Sequence, residues 1–130
     1  MEPRLDGIRV LVVDDEPYIR QVVTEILEHG GATVTAVGSA EEALEALKCE
    51  RPRVLLSDLS MPGKGGYWLI GQVRALPPER GGATPAAALS ANAGPQHRAS
   101  ALRAGFQHHV AKPASIAELV GVVAALVREA

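Results

Sequence analysis

Aromatic residues are scarce in this chain: one Trp, two Tyr and one Phe, 3% of the total. A core with so few rings must be built from aliphatic and alanine side chains. Cysteine is nearly absent as well. Cys49 stands alone, which excludes an internal disulfide and a thiolate metal cluster. No apolar run nears the roughly 18 residues of a membrane helix, and the opening Met1-Glu2-Pro3-Arg4 carries no apolar signal segment. A soluble, cytoplasmic protein is expected. Charge of one sign is not in excess: 13 Lys and Arg face 15 Asp and Glu, a formal net charge of -2. Bulk electrostatics therefore give no reason to expect binding to nucleic acid or to an anionic membrane. Long linkers, low-complexity tracts and internal repeats are missing too.

What remains suits one domain over residues 1–130. Hydrophobic residues make up 47% of the chain and charged residues 22%, a globular balance. Short apolar runs alternate with helix-like segments, the pattern of a parallel sheet with crossover helices. Residues 8–13 are a β-branched run ending in Asp14-Asp15. Residues 18–29 carry a stripe of Ile19, Val22, Val23, Ile26 and Leu27 at helical spacing, with Pro17 before it and Gly30-Gly31 to stop it. Residues 33–37 predict a second strand. Ser39 with Glu42 predicts a capping box, opening a helix to about Cys49. Residues 54–57 predict a third strand that delivers Asp58 at its end. A Gly/Pro-rich loop, a helix over 67–76 and a surface turn over 77–82 follow. Residues 85–89, Pro-Ala-Ala-Ala-Leu, favour helix or nothing by propensity; only the alternation assigns them to a strand. A weak helix over 96–104, a short strand over 109–111 and a capping box at Ser115 and Glu118 complete the chain. The total is (βα)5.

In an open sheet of this kind ligands bind beyond the carboxyl ends of the strands. Asp14, Asp15, Asp58, Ser90 and Lys112 all fall at or just past such ends. Three neighbouring carboxylates repel one another unless a cation sits among them. Without Cys or His ligands nearby, a hard cation is favoured over zinc, and Mg2+ suits carboxylates, backbone oxygen and water. A carboxylate is also a competent nucleophile toward phosphorus. Lys112 and the Ser90 hydroxyl would meet the phosphoryl oxygens.

The residues Asp14-Asp15, Ser57-Asp58-Leu59-Ser60-Met61-Pro62, Ser90-Ala91 and Lys112-Pro113 occur in this order over about residues 7–128. Together they resemble the response-regulator receiver (CheY-like) family. The resemblance implies a flavodoxin-like, doubly wound parallel sheet of strand order 2-1-3-4-5. It implies that Asp58 accepts a phosphoryl group from a histidine kinase or phosphotransfer protein, and that the chain then switches conformation toward a downstream effector. By the same resemblance Mg2+ is held by Asp15, Asp58 and the Ser60 carbonyl, with Asp14 holding a metal-bound water. Lys112 pairs with Asp58 and then its phosphate, Ser90 and Ala91 form the switch end of strand four, and the Lys112-Pro113 bond is cis. No enzyme activity is implied beyond self-phosphorylation and autodephosphorylation. Residues 104–113 and 75–82 are most similar to receivers appended to hybrid sensor histidine kinases.

Three positions depart from the family pattern. His109 stands where receivers usually carry a switching Tyr or Phe, Gly65 replaces an acidic residue in the loop after Asp58, and Ser90 replaces the commoner Thr. A weaker aromatic step and a looser loop are expected. Other residues have plain readings beside sharper ones. His29, His97 and His108 are expected to face solvent, His109 to be half-buried, and Cys49 to be inert near a helix end. The loop glycines, Gly63, Gly65 and Gly66, suit either a phosphate cradle or mere backbone freedom. Trp68 lies off the stripe of Leu69, Ile70 and Val73, so it either covers apolar surface or anchors a partner.

Rival functions remain. A phosphatase working through an aspartyl-phosphate would want its second Asp two residues after the first, where Glu16 stands after Asp14. A flavin carrier on the same topology would be repelled by Asp14-Asp15-Glu16. A degenerate receiver used only for docking would not need all the site residues.

Overall fold

The computed structural model describes residues 4–92 and 94–129. The β-branched run forms β1 (Arg9–Val13), followed by α1 (Pro17–His29), β2 (Thr33–Val37), α2 (Ala40–Glu50), β3 (Val54–Asp58) and α3 (Gly66–Ala75). A 3-10 turn (Pro78–Arg80) leads to β4 (Ala86–Ser90), α4 (Pro95–Ala104), β5 (His108–Ala111) and α5 (Ile116–Glu129). All pairings are parallel, and the sheet order is β2-β1-β3-β4-β5. This is the doubly wound (βα)5 sheet expected.

Each central strand is buried on both faces, which explains its near-continuous apolar sequence. Val10, Val12, Val54, Leu56, Ala87 and Leu89 face α1 and α5, where Leu27, Leu119, Val123 and Leu126 meet them. Leu11, Val13, Leu55, Ala86 and Ala88 face the opposite layer, against Leu47, Leu69, Ile70, Val73 and Phe106. Phe106 is the one Phe of the chain and is 2% exposed. The rest of the core is aliphatic, as the shortage of rings requires.

The alanine-rich β4 is a strand because of its neighbours. Leu55↔Ala86 and Ala87↔His108 pair it on both sides, and all five of its residues are buried. Tertiary pairing overrides its weak intrinsic preference. The capping box at α5 forms as expected: Glu118 N–H donates to Ser115 Oγ at 3.0 Å, and Ser115 N–H to Glu118 Oε1 at 2.9 Å. At α2, Glu42 N–H donates to Ser39 Oγ at 3.2 Å.

Two expectations need correction. Gly81 and Gly82, assigned to a surface turn, are buried; the 3-10 turn folds them inward, where Gly82 N–H donates to Pro77 O at 3.0 Å. His108 is half-buried and pairs with Glu129 at 3.1 Å, tying β5 to the end of α5. Trp68 is half-buried and packs against the core beside α3, with Lys64 Nζ 5.3 Å from its ring centre. Of the two readings open for Trp68, this packing is the plain one: it covers apolar surface. In the loop after Asp58 the backbone approaches itself closely at the glycines. A Cβ at Gly65 would come within 2.7 Å of Leu59 O, and one at Gly66 within 2.5 Å of Asp58 O. With the backbone this close, a side chain at position 65 would have to displace Leu59 O. Among the described residues no helix is long and apolar enough to cross a membrane.

Candidate phosphoacceptor site

β1 and β3 lie side by side at the point where the chain changes winding direction, so their carboxyl ends open into one crevice. Val13↔Ser57 pairing places Asp14 and Asp15 next to Asp58, and carboxylate oxygens of all three lie within 4.8 Å of one another. Asp14 is 1% and Asp58 6% exposed, whereas Asp15 is half-buried.

Lys112 arrives from the far edge. Asp58↔Leu89 and Ser90↔Ala111 bring the end of β5 level with β3 across β4, and Lys112 N–H donates to Ser90 O at 2.8 Å. The Lys112-Pro113 bond is cis. Its ammonium then bridges two carboxylates, at 3.0 Å from Asp14 Oδ2 and 3.3 Å from Asp58 Oδ1. The shorter bond goes to Asp14, not to Asp58 as the resemblance implied. Asp14 is thereby fully engaged, because its Oδ1 accepts Glu16 N–H at 2.9 Å. Asp58 Oδ1 also accepts Ser60 N–H at 3.3 Å. Among the described residues Asp58 Oδ2 has no hydrogen-bond partner.

Burial raises the Asp58 carboxyl above its ordinary pKa. The Lys112 charge opposes this, and the Asp14 charge adds to it. For Lys112, burial alone would favour the neutral amine, but the hydrogen bond it donates to Asp14 and the charges of Asp58 and Asp14 outweigh it and raise its pKa. Three carboxylates against one ammonium leave a formal surplus of two negative charges. That surplus, on oxygen donors alone, fits a hard divalent cation.

Ser90 is 5% exposed at the tip of β4, where its Oγ accepts Asn92 N–H at 3.0 Å. Ala91 beside it is exposed. His109 lies inside β5, opposite Ala88. It is half-buried, and its Nε2 is buried without a hydrogen-bond partner. Burial, followed by the charges of Arg98 and His97 on α4, lowers its pKa. Sequence reasoning missed Arg20, whose Nη1 donates to Asp14 O at 2.7 Å and fixes the acidic turn from α1. A polar residue one helical turn into α1, off its apolar stripe, was the only signal.

Comparison with known proteins agrees with this geometry. Residues 10–124 match the family model described as the response regulator receiver domain. An uncharacterized 14.6 kDa protein of Leptolyngbya boryana is 45% identical over 114 residues, covering 88% of this chain and 86% of that one. The sensory/regulatory protein RpfC of Xanthomonas campestris is 33% identical over 123 residues, 95% of this chain but only 17% of RpfC. The receiver domain of sensor histidine kinase PA1611 from Pseudomonas aeruginosa, solved with magnesium in its active-site cleft, superposes with a TM-score of 0.85. It is 31% identical, over 94% of this chain and 98% of that one. The five-stranded parallel sheet, the carboxylate crevice with its bridging lysine and these matches agree, and the chain belongs to the response regulator receiver domain family of two-component systems.

Proposed function

We propose that Asp58 is the phosphoacceptor. The observation that carries this reading is the position of its carboxylate. It is within 4.8 Å of the acidic pair on one side and 3.3 Å from Lys112 on the other, with Oδ2 unengaged. Oδ2 attacks the phosphorus of a donor phosphohistidine, an O–P bond forms, and the P–N bond breaks. The electron pair leaves with the imidazole, which takes up a proton from solvent. Mg2+ held by Asp15, Asp58 and the Ser60 carbonyl, with Asp14 holding a metal-bound water, would supply the positive charge that offsets the carboxylates and the incoming phosphoryl oxygens. Lys112 keeps one ion pair with Asp14 while its other contact passes from Asp58 to the phosphoryl group. The Ser90 hydroxyl, released from Asn92, donates to a phosphoryl oxygen. His109, two residues from the Ser90 level of the sheet, responds to that movement. Attack by water on the phosphorus of the acyl phosphate breaks the O–P bond, releases inorganic phosphate and returns the carboxylate.

The donor is a histidine kinase or phosphotransfer protein, acting in the cytoplasm. Next to Asp58 lies an apolar concavity of about 330 Å³, walled by Ile19, Val22 and Ile26 of α1 and by Pro113, Ala114 and Leu119 beyond β5. Lys112 lines this concavity and also contacts Asp58. An apolar helix face of the donor seated here would bring its phosphohistidine to the acceptor.

Acetyl phosphate with Mg2+ tests the acceptor directly. Intact-mass measurement should show one added phosphoryl group on the native chain and none on Asp58→Asn. Labelling of both to the same extent would refute the assignment. A docking-only module would stay unlabelled, and a phosphatase would turn over phosphomonoesters rapidly.

A further inference from the structure

The end of the sheet away from Asp58 carries a second charged concavity. It has a volume of about 260 Å³ and is lined by Lys48, Arg51, Leu76 and Arg80. Lys48 lies in the last turn of α2, Arg51 is its C-cap, and Arg80 ends the 3-10 turn. Two separate elements thus direct cations into one hollow.

Part of this has a plain cause. Cations at a helix C-terminus offset the partial negative charge of its free carbonyls, which accounts for Lys48 and Arg51. It does not account for Arg80, whose guanidinium has no hydrogen bond or ion pair among the described residues. It does not account for the backbone of Arg51 either. With φ 51° and ψ 63°, Arg51 is the one non-glycine residue in the left-handed region among those described. Glycine is the usual occupant of such a helix end, and a side chain there is strained. The strained residue presents a guanidinium that bridges the two elements, with Nε donating to Lys48 O at 3.3 Å and Nη1 to Glu79 O at 2.6 Å. Both partners are neutral carbonyls, so its charge is not cancelled. Lys48 has only a largely exposed contact to Glu45 at 3.5 Å. The wall behind Arg80 is ordered by its own bonds: Arg80 N–H to Pro77 O at 2.8 Å, and Thr84 Oγ1 to Gly81 O at 2.8 Å. The hollow is therefore preformed and positively charged, with Leu76 as its apolar floor.

We propose that this concavity binds an oxyanion, the phosphate or diphosphate group of a small molecule. Guanidinium groups present fixed donors suited to phosphate oxygens. The volume suits such a group better than an extended dinucleotide.

The probe is inorganic pyrophosphate, titrated into the whole chain without Mg2+ and followed by amide NMR at constant ionic strength. Saturable shifts should centre on residues 48–51 and 76–82 and leave 14, 15 and 58 in place. Arg51→Gly keeps the left-handed backbone and removes the guanidinium. Arg80→Gln removes a charge that supports no fold contact. Each should weaken binding about tenfold, and Asp58→Asn should leave it unchanged. Shifts that fail to saturate, that chloride reproduces at the same ionic strength, or that survive both substitutions at native affinity would overturn the site. So would shifts centred on Lys112.

Discussion

Two half-buried cations sit at opposite ends of this sheet, and their partners differ in kind. Lys112 is held between the carboxylates of Asp14 and Asp58. Arg74, on α3, has no carboxylate partner among the described residues. Its guanidinium donates to Gly105 O at 2.8 and 3.0 Å, to Gly82 O at 2.9 Å, to Thr84 O at 2.7 Å and to Gln107 Oε1 at 3.2 Å. Burial lowers the pKa of Arg74, while net charge beside Lys112 raises that of Lys112. Dipoles hold a cation in place but do not change when a phosphate or metal arrives elsewhere. Full charges do change, and the balance at Lys112 shifts with every charge added to the crevice. The Arg74 end therefore clamps the loops before β4 and β5, and the Lys112 end is the part that can respond.

Substitutions can break this contrast, and the largest effect is expected at Asp58. Asp58→Asn should abolish phosphoryl uptake while leaving the fold intact. Without Mg2+ it should not lower stability, because a carboxyl whose ionisation burial disfavours has been removed. Chemical denaturation and intact-mass labelling together check both halves. A variant that unfolds would show that the acceptor is structural as well.

Lys112→Met leaves Asp14 and Asp58 uncompensated in a buried crevice. Without metal the loss should be about 2–4 kcal/mol. Mg2+ should restore much of it by supplying the missing positive charge. Urea unfolding with and without Mg2+ gives the measure, and equal losses under both conditions would deny that the crevice takes the cation.

Arg74→Met is the matching experiment at the other end. Four carbonyl contacts and one amide contact go at once, and the buried acceptors left behind should cost about 2–3 kcal/mol. Mg2+ should recover none of the difference between variant and native protein. Selective recovery of the Arg74 variant would mean that the two ends are coupled and the contrast is false.

His109 gives the smallest effect. Burial and the charges of Arg98 and His97 hold its pKa below the ordinary imidazole value of 6.5, so the unfolded chain takes up this proton more readily than the folded one. The native state is undisturbed by His109 above that pH and loses stability as pH falls below it. Urea midpoints between about pH 7 and about pH 5 should fall in the native protein and fall less in His109→Phe. Identical slopes would show that His109 carries no such penalty.

The part of the site that could be read along the chain is the part placed by strand ends. Asp14, Asp15, Asp58, Ser90 and Lys112 each follow a short apolar run, and a parallel sheet must gather such positions at one edge. The β4 strand was legible only from the alternation, because Ala86, Ala87 and Ala88 have no strand preference of their own and become a strand by pairing with β3 and β5. His108 could not be paired in advance with Glu129, 21 residues on. Nor could Arg74 be read as a clamp, since its partners are backbone carbonyls that any sequence supplies. The tightness at Gly65 was hidden for a related reason: it depends on how closely Leu59 O approaches.

The amino-acid sequence by itself determined the alternation of strands and helices, the aliphatic core and the identity of the charges at the responsive end. These follow from local periodicity and from residue chemistry, which need no knowledge of distant neighbours. Only the tertiary structure decided that Lys112 sits nearer Asp14 than Asp58, that Arg20 secures the acidic turn, and that Lys48, Arg51 and Arg80 share one hollow. Apart from the Arg20 contact, which spans six residues, those are distances between elements far apart in the chain. They are set by how α2, α3 and β5 pack on the sheet, and no local pattern in the sequence encodes that packing.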